Sequence, residues 1–352
     1  MPRTQNKAVM IWLQSFAFLA AFLVVFGGSV RLTRSGLSIV EWNPVGGTLP
    51  PLSSQAWGQE FAKYQGTPEF IKINFNMTLA QYKEIFIIEW VHRLLARLAG
   101  LVFALPFIYF LFRRSIPLKE AALYVGMGLL FIAQAFAGWY MVASGLVDRP
   151  SVSQYLLTTH LLLALSLIGL ALWTALGHRY GFGAGRRAAA WSPIARLAGA
   201  ALVVLLLQII YGGLTAGLKA GHISDTWPLM FGQLVPRGMW SKTGLTLLDL
   251  VAAPALVLFI HRWLAFAVLA MAAVIFAKAR RSDLPAEARR GALVLLALVT
   301  LQIVLGILVV LLHVQIAVAL FHQTMALLLF CTTIYLIHRL RAVDLARTGG
   351  PA

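Results

Sequence analysis

Apolar residues occur along this chain in eight long blocks, at about residues 9–30, 85–112, 119–143, 156–177, 195–216, 254–277, 289–312 and 316–338. A helix needs roughly 20 such residues to cross about 30 Å of hydrocarbon, so each block is long enough to span a membrane. The first, from Ala8 to Val30, is too long for a cleaved signal and reads as a span. Two connections are long, 31–84 and 217–253; both carry Trp, Pro and Gly and read as partly ordered caps. A short amphipathic piece, Thr243 to Val251, precedes the sixth block, with Pro254 predicted as a bend between them.

Composition agrees with this pattern. Hydrophobic residues make up 60% of the 352 positions and charged residues 12%, too little charge for a fold facing water on all sides. The net charge of +17 would suit a nucleic-acid binder, but only with a basic face on a soluble fold. Its distribution gives the simpler account. With the N-terminus inside, the cytoplasmic connections hold 17 basic and 4 acidic residues, from Arg3 through Arg113, Arg186, Arg187 and Arg280 to the tail. The opposite side holds 12 basic and 8 acidic. That is the positive-inside bias, and no nucleic acid is needed to explain it. Cys331 is the only cysteine, which excludes an intrachain disulfide, a Cys-rich zinc site and an iron–sulfur motif.

The chain repeats itself. Gly27-Gly28 ends the first block as Gly212-Gly213 ends the fifth, and the same offset of 185 carries Gly36 onto Gly221 and Trp42 onto Trp227. His92-Arg93 then matches His261-Arg262, Gln134 with Gly138 matches Gln302 with Gly306, and His160 matches His322. Four spans per half make both halves enter the membrane in the same direction. The fold class expected is therefore an all-α membrane protein of eight transmembrane helices in two pseudo-symmetric four-helix bundles. The halves are 1–178 and 179–352.

His92, His160, His261 and His322 all lie near the non-cytoplasmic ends of even-numbered spans. From each to the far end of its span is about 16–20 residues, about 24–30 Å at the helical rise. One histidine from the second helix and one from the fourth, facing across a bundle, is an arrangement that holds a haem iron axially. The plain alternative is a set of interfacial histidines hydrogen-bonded to neighbours; zinc fits less well, because two histidines and no cysteine leave its coordination incomplete. His178 and His338 sit at cytoplasmic ends and read as interfacial anchors, while His222 and His313 have no counterpart in the other half.

Glu89 breaks the symmetry. It precedes His92 by three residues, on the same helical face, and its equivalent in the second half is Leu258. A carboxylate there can act as a base on water or stabilise positive charge on a substrate; it can equally form an ion pair with Arg93 one turn on. Arg31, Arg34, Arg93, Arg97 and Arg262 could pair with haem propionates or snorkel at the interface.

These residues resemble the haem A synthase family over nearly the whole chain. The likeness rests on eight spans in two halves and on Glu89-x-x-His92-Arg93 opening the second span. His160, His261-Arg262 and His322, and the Gly27 to Ser38 run, Gly-Gly-x-x-Arg-Leu-Thr-x-Ser-Gly-Leu-Ser, complete it. The resemblance implies a two-step oxidation of the C8 methyl of haem O to the formyl group of haem A, with oxygen from water, for terminal oxidase biogenesis. It implies substrate haem between His92 and His160, and haem b as cofactor between His261 and His322. It makes Glu89 the functional acid, as base or as electrostatic partner of a carbocation-like centre. It implies haem O synthase as donor of the substrate, an electron acceptor that the sequence does not identify, and a homo-oligomer as an open possibility. The expected location is the bacterial inner membrane, multi-pass, with both termini cytoplasmic. Some members carry a cysteine pair in the external loops; none is present here, so the chain resembles the cysteine-free branch. Two rivals remain: a di-haem b-type cytochrome exchanging electrons with quinone, which fits the histidines equally well, and a transporter or haem chaperone, which would want charged or broken spans that the sequence does not show.

Overall fold

The computed structural model describes residues 5–43, 46–147, 150–181, 191–240 and 244–347; Arg3, Arg186 and Arg187 of the cytoplasmic charge count lie outside them. Eight helices are long and apolar enough to cross a membrane: α1 (Lys7–Leu32), α4 (Leu79–Phe112), α5 (Leu118–Gly145), α6 (Gln154–Tyr180), α7 (Pro193–Gly217), α9 (Pro254–Arg281), α10 (Ala286–Leu311) and α11 (Ile316–Arg347). Three shorter helices lie between them, α2 (Ser54–Gln65), α3 (Pro68–Lys72) and α8 (Asp249–Ala252). No strand forms among the described residues, only a single bridge between Met230 and Gln233. The chain is a multi-pass membrane protein, and helices are what lipid requires, since they satisfy every backbone polar group within the segment.

The helix ends follow local chemistry. The second span begins at Leu79, six residues before its apolar block, because Thr78 and Gln81 form a reciprocal capping box that holds an extra turn outside the hydrocarbon. Ser192 caps α7 through the Ala195 N–H, with Pro193 at the first helical position. The predicted amphipathic piece is shorter than expected. Only Asp249–Ala252 is helical, and Thr243 lies outside the described residues. Pro254 does not bend a helix but starts one: Ala253 is extended (φ −84°, ψ 109°), as a residue before proline prefers, and α9 begins afresh.

Two compact units form, residues 18–167 and residues 1–17 with 168–352. In the second, α7 packs on α9 and α11, and α10 packs on α9 and α11, closing a four-helix bundle. The first ends of α1 and last turns of α6 belong to this unit, although the repeat assigns them to the first half. Gly169 of α6 explains part of this: a Cβ there would lie 3.1 Å from the Phe330 ring on α11. Nearby, Trp173 meets His338 edge-on at 4.9 Å, and Arg339 stacks on Tyr180 at 3.8 Å. His178 and His338 are buried in this packing.

In the first unit, the long connection between α1 and α4 folds into a cap. Tyr64, Tyr82 and Phe86 form its buried centre, with Trp57, Phe61, Phe70 and Trp90 packed around them. The Tyr64 hydroxyl donates to Glu69 (3.3 Å) and accepts from Asn74 (2.7 Å), while the Tyr82 hydroxyl donates to the carbonyls of Ser38 and Glu60, both 3.2 Å. Burial pushes the Tyr64 phenol above its ordinary value. Its folded form therefore holds the proton more tightly than the unfolded chain, and cap stability is expected to be full below about pH 10 and to fall as pH rises above that. Alkaline titration of Trp57 fluorescence should show this loss; Tyr64→Phe should remove that component while weakening the cap at neutral pH.

Candidate functional site

Each of the four aligned histidines is bedded against a glycine on the preceding span. A Cβ on Gly27 of α1 would lie 3.2 Å from His92 Nε2 on α4, and one on Gly138 of α5 only 2.8 Å from His160 Cε1 on α6. In the second unit a Cβ on Gly212 of α7 would lie 3.1 Å from His261 Cε1 on α9, and one on Gly306 of α10 would lie 3.1 Å from His322 Cε1 on α11. Any larger residue would push the ring away, so the glycines set how close each imidazole comes to the helix behind it.

His261 and His322 face each other, ring centroids 6.4 Å apart with planes at 84°. Two metal–nitrogen bonds of about 2 Å, plus about 1 Å from each nitrogen to its ring centre, span roughly this distance. In the first unit His92 stacks on Phe26 (6.1 Å, 8°) and bonds the main chain of Leu23. Nδ1 of His160 and Nδ1 of His322 are buried without a hydrogen-bond partner. Buried polar nitrogens are nearly always partnered, so both are open to a ligand, as Nδ1 of His338 is elsewhere in the second unit. The glycine cradles, the unpartnered nitrogens and the 6.4 Å pair fit histidines that would hold a haem iron. Among the described residues, no cluster of three or more His, Cys, Asp or Glu forms that would suit zinc instead.

Glu89 is 3% exposed, and its carboxylate is fully engaged. Oε2 accepts from the Ser38 N–H (2.9 Å), the Ser38 hydroxyl (2.7 Å) and the Ile39 N–H (2.9 Å), while Oε1 accepts from Arg93 Nε (3.1 Å) and Nη2 (2.6 Å). A carboxylate offers about four lone-pair sites, so these donors leave no ready position for a water. The ion pair with Arg93 and the buried acid are thus one structure. Ser38 and Ile39, which sequence reasoning did not single out, supply more of its bonds than Arg93 does.

Arg93 also donates to the carbonyls of Ile39 (3.0 Å, from Nη2) and Glu41 (3.3 Å, from Nη1). Its counterpart Arg262 donates to the carbonyls of Ser224 and Thr226, both at 3.1 Å, and those residues stand at the same offset of 185 from Ile39 and Glu41. Both halves tie the loop that follows their first span to the arginine after the histidine. Leu258, where the first half has Glu89, packs apolarly with Ala220, Met230 and Ile223 of its loop. The asymmetry at this position is therefore a charged latch against an apolar one.

The remaining arginines are dispersed. Arg97 donates to the Asn43 carbonyl at 3.0 Å, Arg31 is half-buried at the end of α1, and Arg34 is exposed in a left-handed conformation (φ 55°). A small recess beside Arg93 is lined by Val40, Trp42, Trp139, Val142, Ala143 and Leu146, with Trp42 and Trp139 edge to face at 6.4 Å. Three glutamines missed as site residues, Gln134, Gln208 and Gln302, touch the histidine rings. Their signal was present in the chain, since each stands four residues before a cradle glycine.

Two substitutions probe this geometry. Gly138→Ala should displace the His160 ring and cut haem occupancy of the first unit, read from haem per protein and the low-spin absorption band. Gly126→Ala, on the same helix with open space around its Cα, should leave both unchanged. Glu89→Ala leaves the half-buried Arg93 guanidinium without its carboxylate and two N–H groups without their acceptor, and should cost roughly 2–3 kcal/mol. Thermal unfolding in detergent and protease cleavage near Ser38 would show it.

The family model described as cytochrome oxidase assembly protein, COX15-CtaA, matches residues 10–334. The heme A synthase of Wolbachia pipientis wMel is 44% identical over 279 residues, 78% of each chain. That of Novosphingobium aromaticivorans is 43% identical over 305 residues, 84% of each chain. A more distant one from Flavobacterium psychrophilum is 39% identical over 300 residues, 84% of this chain and 86% of its own length. With matches of this extent over a fold that holds its histidines in repeated glycine cradles, the chain belongs to the COX15-CtaA family of cytochrome oxidase assembly proteins.

Proposed function

We propose that this protein is a haem A synthase, an oxidoreductase that converts the C8 methyl group of haem O to the formyl group of haem A. The observation that carries the reading is the set of four half-buried histidines bedded against glycines, two in each repeat. His92 and His160 hold the substrate haem, and His261 and His322 hold haem b, which supplies a one-electron carrier. The methyl group takes one oxygen from water and loses two electrons and two protons in each of two steps, and the electrons pass to an external acceptor. Haem O synthase is the donor of the substrate.

Glu89 acts electrostatically rather than as the base. Its carboxylate keeps Arg93 and the 38–41 loop at the mouth of the first unit and places a fixed negative charge one turn from His92. Positive charge developing on the substrate methyl would be stabilised by that anion without any proton moving onto it. Arg93, Arg97 and Arg262 give most of the donors described to loop carbonyls and to Glu89, so their part in holding propionates is through whatever donors remain and through their charge. The protein sits in the bacterial inner membrane with both termini cytoplasmic, an orientation that the positive-inside bias supports.

Haem extracted from the purified protein and weighed by mass spectrometry decides the reading. Haem O and haem A beside haem b are expected; haem b alone in both sites would make the protein a di-haem cytochrome. His322→Ala should lose haem b while the first unit still retains haem O.

A further inference from the structure

The three glutamines repeat the logic of the glycines. A spacing of four puts Gln134 and Gly138, Gln208 and Gly212, and Gln302 and Gly306 on one helical face, so each pair meets a single imidazole. The amide nitrogen of Gln134 lies 3.4 Å from His160 Nε2, and that of Gln302 lies 3.3 Å from His322 Nε2. The amide oxygens, Oε1 of Gln134 and of Gln302, are buried without a partner, like Nδ1 of the two histidines they face. The α5–α6 and α10–α11 pairs therefore carry the same two unpartnered atoms at equivalent places.

One change pairs the amide oxygen and frees the second ring nitrogen for a metal. The two ends of a carboxamide have nearly the same shape, but one donates and the other accepts. Turned end for end, each amide offers its oxygen to the ring N–H, and the opposite ring nitrogen then carries the lone pair that a metal needs. Gln208 behaves differently: its amide nitrogen lies 3.2 Å from His261 Nδ1 but also donates to the His261 carbonyl at 3.0 Å, which holds it in place. At the fourth position of the register stands Leu23, and His92 bonds the Leu23 main chain instead.

We propose that Gln134 and Gln302 are positioning residues for His160 and His322. With haem bound, each turns its amide oxygen to the ring N–H, selecting the tautomer and ring rotation that ligate iron. A histidine whose second nitrogen donates to a good acceptor is a stronger ligand, and it favours ferric over ferrous iron. The inference rests on the haem-ligand reading above, and Gln302 tests it best because its site holds the resident haem.

The test is a redox titration of the purified holoprotein, with haem content and the low-spin spectrum measured alongside. Gln302→Met keeps the side-chain volume without an acceptor, and the midpoint potential of the second-unit haem should rise above wild type. Gln302→Glu keeps an acceptor oxygen at the same reach and should give a potential at or below wild type with full haem content. Loss of haem from the Met variant with retention in the Glu variant supports the role equally, since the acceptor rescues it. Equal potentials in the two variants, or loss of haem from both, would overturn the inference. If His322→Ala keeps haem b, the ligand reading itself fails; if it loses haem b and the glutamine variants do not separate, only the role of Gln302 fails.

Discussion

An imidazole buried among apolar helices must have its nitrogens partnered, and this constraint organises the rest of the molecule. Lipid supplies no hydrogen bonds, so every polar atom inside a span needs a partner from the protein or from a ligand. Here the partners come from one side only. A glycine lets each ring settle against the helix behind it, and a glutamine or a main-chain group takes one nitrogen. At His160 and His322 the second nitrogen is left without a partner, which is costly without a ligand.

The same constraint governs the mouths of the two halves. Arg93 and Arg262 each tie a loop by donating to carbonyls at corresponding positions, so the duplicated scaffold has kept its external clasp. The difference lies in what holds the other side of the loop. In the second half Leu258 packs on Ile223, and burial of apolar surface is sufficient. In the first half a carboxylate takes two N–H groups, a hydroxyl and a guanidinium. Such a charge is tolerated only because it is paired and hydrogen-bonded, and it brings a fixed anion beside the histidine that the second half lacks.

Much of this was legible in the chain. The eight spans were visible in the apolar blocks because membrane thickness sets a minimum length that few other folds require. The helix ends were less so: the start of α4 depends on Thr78 and Gln81 closing on each other, and the start of α9 on the extended Ala253 before Pro254. The histidines could be paired by depth and repeat, but the glycines that seat them looked like repeat markers only. Glycine records the absence of a side chain, and what occupies that space is known only when the neighbouring helix is in place.

Glu89 shows where reading the chain stops. Its position opposite Leu258 was enough to mark it as the place where the halves diverge, and its spacing from Arg93 predicted one ion pair. Its contacts with Ser38 and Ile39 come from residues about fifty positions earlier in the chain. Local sequence therefore determined the spans, the repeat and the aligned histidines, because hydrophobic length and helical period act over one turn or one membrane thickness. Tertiary structure alone decided which nitrogens remain unpartnered and which donors fill a carboxylate, because hydrogen bonds between helices depend on distances that no spacing along one helix records.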